Sequence, residues 1–200
     1  MKISSVLIMV GFISVALAVI IFVVTFYPVI MVELNYQLTQ AQGELTVNRE
    51  IKPQDSDFGI VVPKISANAK IIPNVDPYNN VEYQVALTQG VAHALGTGFP
   101  GSAGNVFLFS HSSVNFYEAS RYNSIFYLLD KLVVGDEIDL YYSGEKFKYF
   151  VNDKKIVSSK DIKYLGSLGS GKTVTLMTCW PPGTTFKRLL VIGELKEENP

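Results

Sequence analysis

Chemistry in this chain can start from a single thiol. Cys179 is the only cysteine among 200 residues, so it forms no disulfide within the chain. A free thiol titrates at about 8.5 and attacks as the thiolate. A neighbouring imidazole can take that proton and later hand one to a leaving amine. A guanidinium can donate hydrogen bonds to a substrate carbonyl or to the oxyanion that forms from it. Partners of these types are scarce. The histidines are His93 and His111, and the arginines are Arg49, Arg121 and Arg188. Arg49 falls in a polar segment and Arg121 at the start of an expected helix, which leaves Arg188. The plainer alternatives are a buried structural cysteine, since Cys packs like a small hydrophobe, and a surface cation at a strand end for Arg188.

The elements expected around these residues bring them together. Val174 to Met177 alternate as a half-buried strand does. Pro181, Pro182 and Gly183 stop that strand and force a loop. Leu189 to Ile192 is a short apolar run suited to a buried strand. Antiparallel neighbours joined by such a loop would carry Cys179 and Arg188 to one end of a sheet. Asn105 to Phe109 predicts a further strand, ending on Ser110 and His111. His93 falls within Gly90 to Asn105, a glycine-rich stretch expected as loop. His93 therefore reads as a hydrogen-bonded structural residue, and His111 as the functional one, because catalytic groups sit at the ends of rigid elements. The glycine-rich stretch has neither phosphate-binding spacing, GxxxxGK[ST] or GxGxxG.

The remaining pattern is mainly β. Phe58 to Ile65 and Ala69 to Val75 read as strands, each with a proline that suggests an edge or a bend. A short helix is expected through Leu87, capped by Asn79 or Asn80, with Val81, Val85 and Tyr83 turned inward. Tyr122 to Leu132 reads as a second helix with Ile125, Leu128, Leu129 and Leu132 on one face. Glu137 to Tyr142 and Lys146 to Val157 form a hairpin around a Ser-Gly turn. Its aromatic residues alternate with charges and suit a barrel core. Ser158 to Gly171 is expected as a polar loop.

Ile3 to Val32 carries no charged side chain, and about 20 apolar residues suffice to span a bilayer. Lys2 on its amino-terminal side predicts a single-pass anchor with a cytoplasmic N-terminus and the remainder outside. A cleaved signal peptide, with Ala16-Leu17-Ala18 at the cleavage site, is the alternative. The expected division is an anchor over 1–32, a juxtamembrane stalk over 33–57 and a folded domain over 58–200. Lys and Arg total 17 against 18 Asp and Glu, and no basic patch favours nucleic acid. No CxxC or His/Cys cluster supports a metal, and no cofactor is expected.

Thr175-Leu176-Met177-Thr178-Cys179, a loop, then Arg188-Leu189-Leu190-Val191 resembles the signature of the sortase family. Sortases are membrane-anchored cysteine transpeptidases of bacterial surfaces. The resemblance covers about Phe58 to Leu195; Ser110 stands where sortases usually have glycine before the histidine. It implies an eight-stranded β-barrel with one or two short helices and a catalytic set of His111, Cys179 and Arg188. It also implies cleavage of an LPxTG-like sorting signal on surface proteins through a thioacyl-enzyme. The acyl group would pass to an amine of a cell-wall precursor or a pilin lysine. The sortase class stays open. Thr178 and Trp180 flank the nucleophile and are the candidate substrate contacts. The alternative from another class is a membrane-tethered, non-catalytic β-domain that binds surface partners and leaves these residues as coincidence.

Overall fold

The computed structural model describes residues 3–42, 51–112, 125–161 and 171–196. The chain divides into two compact units, Met1–Val47 and Asn48–Pro200. The first contains one helix, α1 (Ile3–Gln42). Within it Val6–Val24 is long and apolar enough to cross a membrane. At about 1.5 Å per residue those positions cover close to the ~30 Å of a hydrocarbon core.

The second unit is a closed barrel. Its strands are β1 (Phe58–Val62), β2 (Ala67–Val75), β3 (Val91–Ala94), β4 (Gly104–Phe109), β5 (Glu137–Tyr142), β6 (Glu145–Ser158), β7 (Lys172–Trp180) and β8 (Lys187–Leu195). Around the wall they run β1-β2-β3-β4-β7-β8-β6-β5, and β5 pairs back onto β1. The pairs β2–β3 and β4–β7 are parallel, and the others are antiparallel. Closure removes every sheet edge, so the two prolines act as bends. Pro63 opens a 3-10 turn directly after β1. Pro73 lies where the β2–β3 register shifts, between Ile72 and Val75. The β5–β6 turn is Ser143-Gly144, both at positive φ, which suits a two-residue hairpin.

Strand alternation sorts the core into two layers. Val106, Leu108, Val174, Leu176 and Val191 fill the barrel and are fully buried. On the opposite face Phe107, Phe109 and the half-buried Met177 pack against α2 (Asn80–Gln89), the crossover between β2 and β3. Burying a side chain of this size contributes about 1.5–3 kcal/mol. Asn79 caps α2, its side chain accepting from the Glu82 N–H at 3.3 Å. Ala86 and Leu87 are the buried positions of α2 and Tyr83 is partly covered, whereas Val81 and Val85 face solvent. The expected inward face is thus corrected: α2 ends against β3, so its last turn is what packs. Gly90 makes that join possible, because a Cβ there would collide with the Lys70 backbone oxygen.

Two further expectations change. Gly90 to Asn105 is not all loop, because Val91-Ala92-His93-Ala94 forms β3 with every residue buried. Short strands of small residues carry little periodic signal. The expected helix over Tyr122 to Leu132 lies partly outside the described residues. From Ile125 the described part is turns and a 3-10 segment, Leu129–Lys131. Phe126, Leu129 and Leu132 are its fully buried residues, and that spacing of three is the 3-10 period. The segment 51–57 lies along the barrel wall. Asn68 clasps it, donating to the Lys52 carbonyl at 2.8 Å and accepting from the Gln54 N–H at 2.8 Å.

Candidate active site

Cys179 ends β7 and Arg188 begins β8. The two residues are direct cross-strand partners in the β7–β8 register, so their side chains leave the sheet on one face at adjacent positions. The third candidate arrives from the other side. β4 runs parallel to β7, with Phe109 opposite Met177. The pairing reaches one residue further, since the Ser110 N–H donates to the Met177 carbonyl at 3.1 Å. Counting two residues past Phe109 and two past Met177 brings His111 level with Cys179. The two residues after β4, the end of β7 and the start of β8 therefore bring His111, Cys179 and Arg188 to one end of the barrel in that lateral order.

Cys179, Trp180, His111 and Arg188 are all half-buried. Burial pushes the Cys179 thiol up from its ordinary range, and the nearby Arg188 charge acts against that shift. Arg188 is held by its own loop, Nη1 donating to the carbonyls of Thr185 at 3.1 Å and Lys187 at 3.0 Å. A guanidinium has five N–H donors, so these two bonds leave it others to offer. The β7–β8 loop turns at Pro181, where the Thr184 hydroxyl donates to the Pro181 carbonyl at 2.8 Å. Trp180 pairs with Lys187 at its mouth.

Thr178 sits differently from the position expected for a substrate contact. Alternation turns it into the barrel, away from the face that carries Cys179. It is only 3% exposed, and its hydroxyl donates to the Ser110 carbonyl at 2.9 Å. Sequence reasoning overlooked Phe186, which stands 75% exposed in the β7–β8 loop beside Arg188. A lone aromatic in a Pro/Gly/Thr-rich loop was the available signal. His93 lies in β3 and is fully buried. Its Nδ1 accepts from the Asn74 N–H at 3.2 Å, and its Nε2 lies 2.9 Å from the Gly98 carbonyl. Among the described residues no group of His, Cys, Asp and Glu is arranged to hold a metal ion.

The fold recurs in known proteins. The chain matches the family model for the sortase domain over residues 60–196. Among solved structures it is similar to sortase A from Corynebacterium diphtheriae, at 26% identity and a TM-score of 0.60. That match covers 73% of this chain and 63% of the other. Sortase C-1 from Actinomyces oris matches at 27% identity and a TM-score of 0.59, covering 86% of each chain. A Clostridium perfringens sortase D5 transpeptidase matches at 25% identity and a TM-score of 0.57, over 87% of this chain and 99% of that one. No curated protein sequence matches. With the domain model spanning most of the barrel, the chain belongs to the sortase family of cysteine transpeptidases.

Proposed function

We propose that Cys179, His111 and Arg188 are the catalytic set and that the enzyme cleaves an LPxTG-like sorting signal on exported surface proteins. What supports this reading is the direct pairing of Cys179 with Arg188 in the β7–β8 register, together with the β4–β7 register, which ends at Phe109 and Met177 and, continued by two residues, sets His111 beside Cys179. The Cys179 sulfur attacks the carbonyl carbon of a Thr–Gly-type bond, and its proton passes to His111. The electron pair of the broken C–N bond stays on the leaving amine, which takes the proton back from the imidazole. Arg188 donates to the oxygen that gains charge in the tetrahedral intermediate. The thioester is then opened by an incoming amine, of a cell-wall precursor or a pilin lysine, and the thiol is restored. Burial around Cys179 disfavours a bare thiolate, so the imidazole and guanidinium are needed to support the charge.

The test is incubation of the full-length chain in detergent with LPxTG-type peptides, with and without amine acceptors. A thioacyl adduct on Cys179 and an amine-dependent ligation product are expected. Absence of both across a peptide library would remove the reading.

The apolar helix α1 is the proposed anchor of a single-pass membrane protein, with 33–57 linking it to the domain at 58–200. Lys2 favours a cytoplasmic N-terminus and an extracellular barrel. Because Cys179 is the only thiol, a membrane-impermeant maleimide on wall-stripped intact cells should label it. Labelling only after lysis would mean the opposite orientation.

A further inference from the structure

Thr178 directly precedes Cys179 in β7, and alternation turns its hydroxyl to the opposite face of the strand. Ser110, one residue before His111, has both of its backbone groups held by β7. Its N–H donates to the Met177 carbonyl at 3.1 Å, and its carbonyl accepts from the Thr178 hydroxyl at 2.9 Å. The regular β4–β7 ladder ends at Phe109 and Met177. Beyond it the Ser110 N–H bond and this hydroxyl both tie the chain after β4 to β7. Both Thr178 and Ser110 are buried, at 3% and 6% exposure, so water does not compete for the carbonyl.

We propose that Thr178 is a positioning residue: its hydroxyl clamps the Ser110 carbonyl to β7 and thereby sets where His111 stands against Cys179. This rests on His111 and Cys179 being the catalytic pair. A substrate lying along the Cys179 face does not meet Thr178, which occupies the other face of the strand. The effect on rate follows from geometry, since small misplacements of a proton-transfer group cost far more in turnover than in binding.

A second threonine supplies the comparison. Thr175 is fully buried and donates to Asn105 Oδ1 at 3.0 Å, alongside Thr173 at 3.1 Å. It also ties β7 to β4, but towards the barrel end remote from Cys179.

The experiment compares Thr178→Val, Thr178→Ser, Thr178→Ala, Thr175→Val and His111→Ala in the full-length chain in detergent. Two readouts are used: turnover of a fluorogenic LPxTG-type peptide, and the pH profile of Cys179 alkylation by iodoacetamide, which needs no substrate. Thr178→Val should lower kcat by about a hundredfold with KM little changed. Its alkylation profile should move to that of His111→Ala, and Thr178→Ser should keep the parent profile. Thr178→Ala should follow Thr178→Val if the latter folds poorly. Thr175→Val should lower the melting temperature and leave both readouts alone. Parent-like kinetics and profile in Thr178→Val, beside a damaged His111→Ala, would overturn the clamp while leaving the catalytic pair standing. A loss confined to KM would overturn it in favour of a substrate contact. If His111→Ala itself changes neither readout, the catalytic pair falls and the clamp falls with it.

Discussion

The two ends of the barrel each contain a histidine, and almost everything around the two differs. At the end remote from Cys179 the rings of Phe58, His93, Phe99 and Tyr142 pack on one another, with centroids 4.7–5.7 Å apart. His93 receives an N–H at Nδ1, so Nε2 must carry the proton that goes to the Gly98 carbonyl. That ring is neutral, fixed in one tautomer and sealed. At the other end His111 lies two residues past the last residue of β4, half-buried, as are Cys179 and Arg188, which pair directly across β7 and β8. Identical side chains thus serve as a wedge at one end and, in the proposed mechanism, as a proton carrier at the other. The difference lies in burial: His93 is fully buried with both ring nitrogens on backbone groups, whereas His111 is half-buried at a strand end.

The sharpest way to break the comparison is to remove groups from the open end. Cys179→Ala should abolish the thioacyl adduct, since no second thiol exists to form one. Intact mass after incubation with peptide checks it, and any remaining amine-dependent ligation would end the mechanism. His111→Ala should come next, with turnover lower by at least about a hundredfold, because the leaving amine loses its acid.

Arg188→Lys is the finer version. It keeps the charge beside Cys179 but loses the planar fork of donors. Removal of one oxyanion donor typically costs about a hundredfold or more in rate, and a drop of that order in kcat is expected with peptide as substrate. Cys179 alkylation should change much less, because the Coulombic support to the thiolate remains. Equal losses in both measurements would mean that Arg188 acts on the thiol and not on the substrate oxygen.

Much of the open end was legible in the sequence because each of its residues sits where a strong pattern stops. Val174 to Met177 alternates and then meets Pro181, and Asn105 to Phe109 ends on Ser110-His111. The barrel order and the levels of Cys179, His111 and Arg188 were not legible as such, since register depends on pairing between segments far apart in the chain. β3 was missed for a related reason: its Val-Ala-His-Ala is a strand only because neighbours on both sides complete its ladder. Thr178 looked like a substrate contact from its adjacency to Cys179. Adjacency in a strand places the two side chains on opposite faces, and the hydroxyl found Ser110 instead.

The smallest expected effect on catalysis belongs to His93, and it sharpens the contrast most. His93→Ala should cost about 2–4 kcal/mol of stability, from a cavity beside the rings of Phe58 and Phe99 and from backbone groups at Asn74 and Gly98 left without partners. Turnover per folded molecule, measured well below the melting temperature, should stay near the parent value. The alanine variant is therefore a fair catalytic control only when the folded fraction is measured with it. Burial pushes the His93 pKa below its ordinary value, outweighing the bond to Gly98. The unfolded chain, with an imidazole at about 6.5, then binds a proton more readily than the folded chain. The stability contributed by His93 is complete above that pH and is lost as the pH falls below it. The gap in melting temperature between parent and His93→Ala should narrow from about pH 7.5 to about pH 5. A gap that stays constant across that range would mean the sealed ring takes up its proton as freely as an exposed one, and the distinction between the two ends would no longer rest on burial.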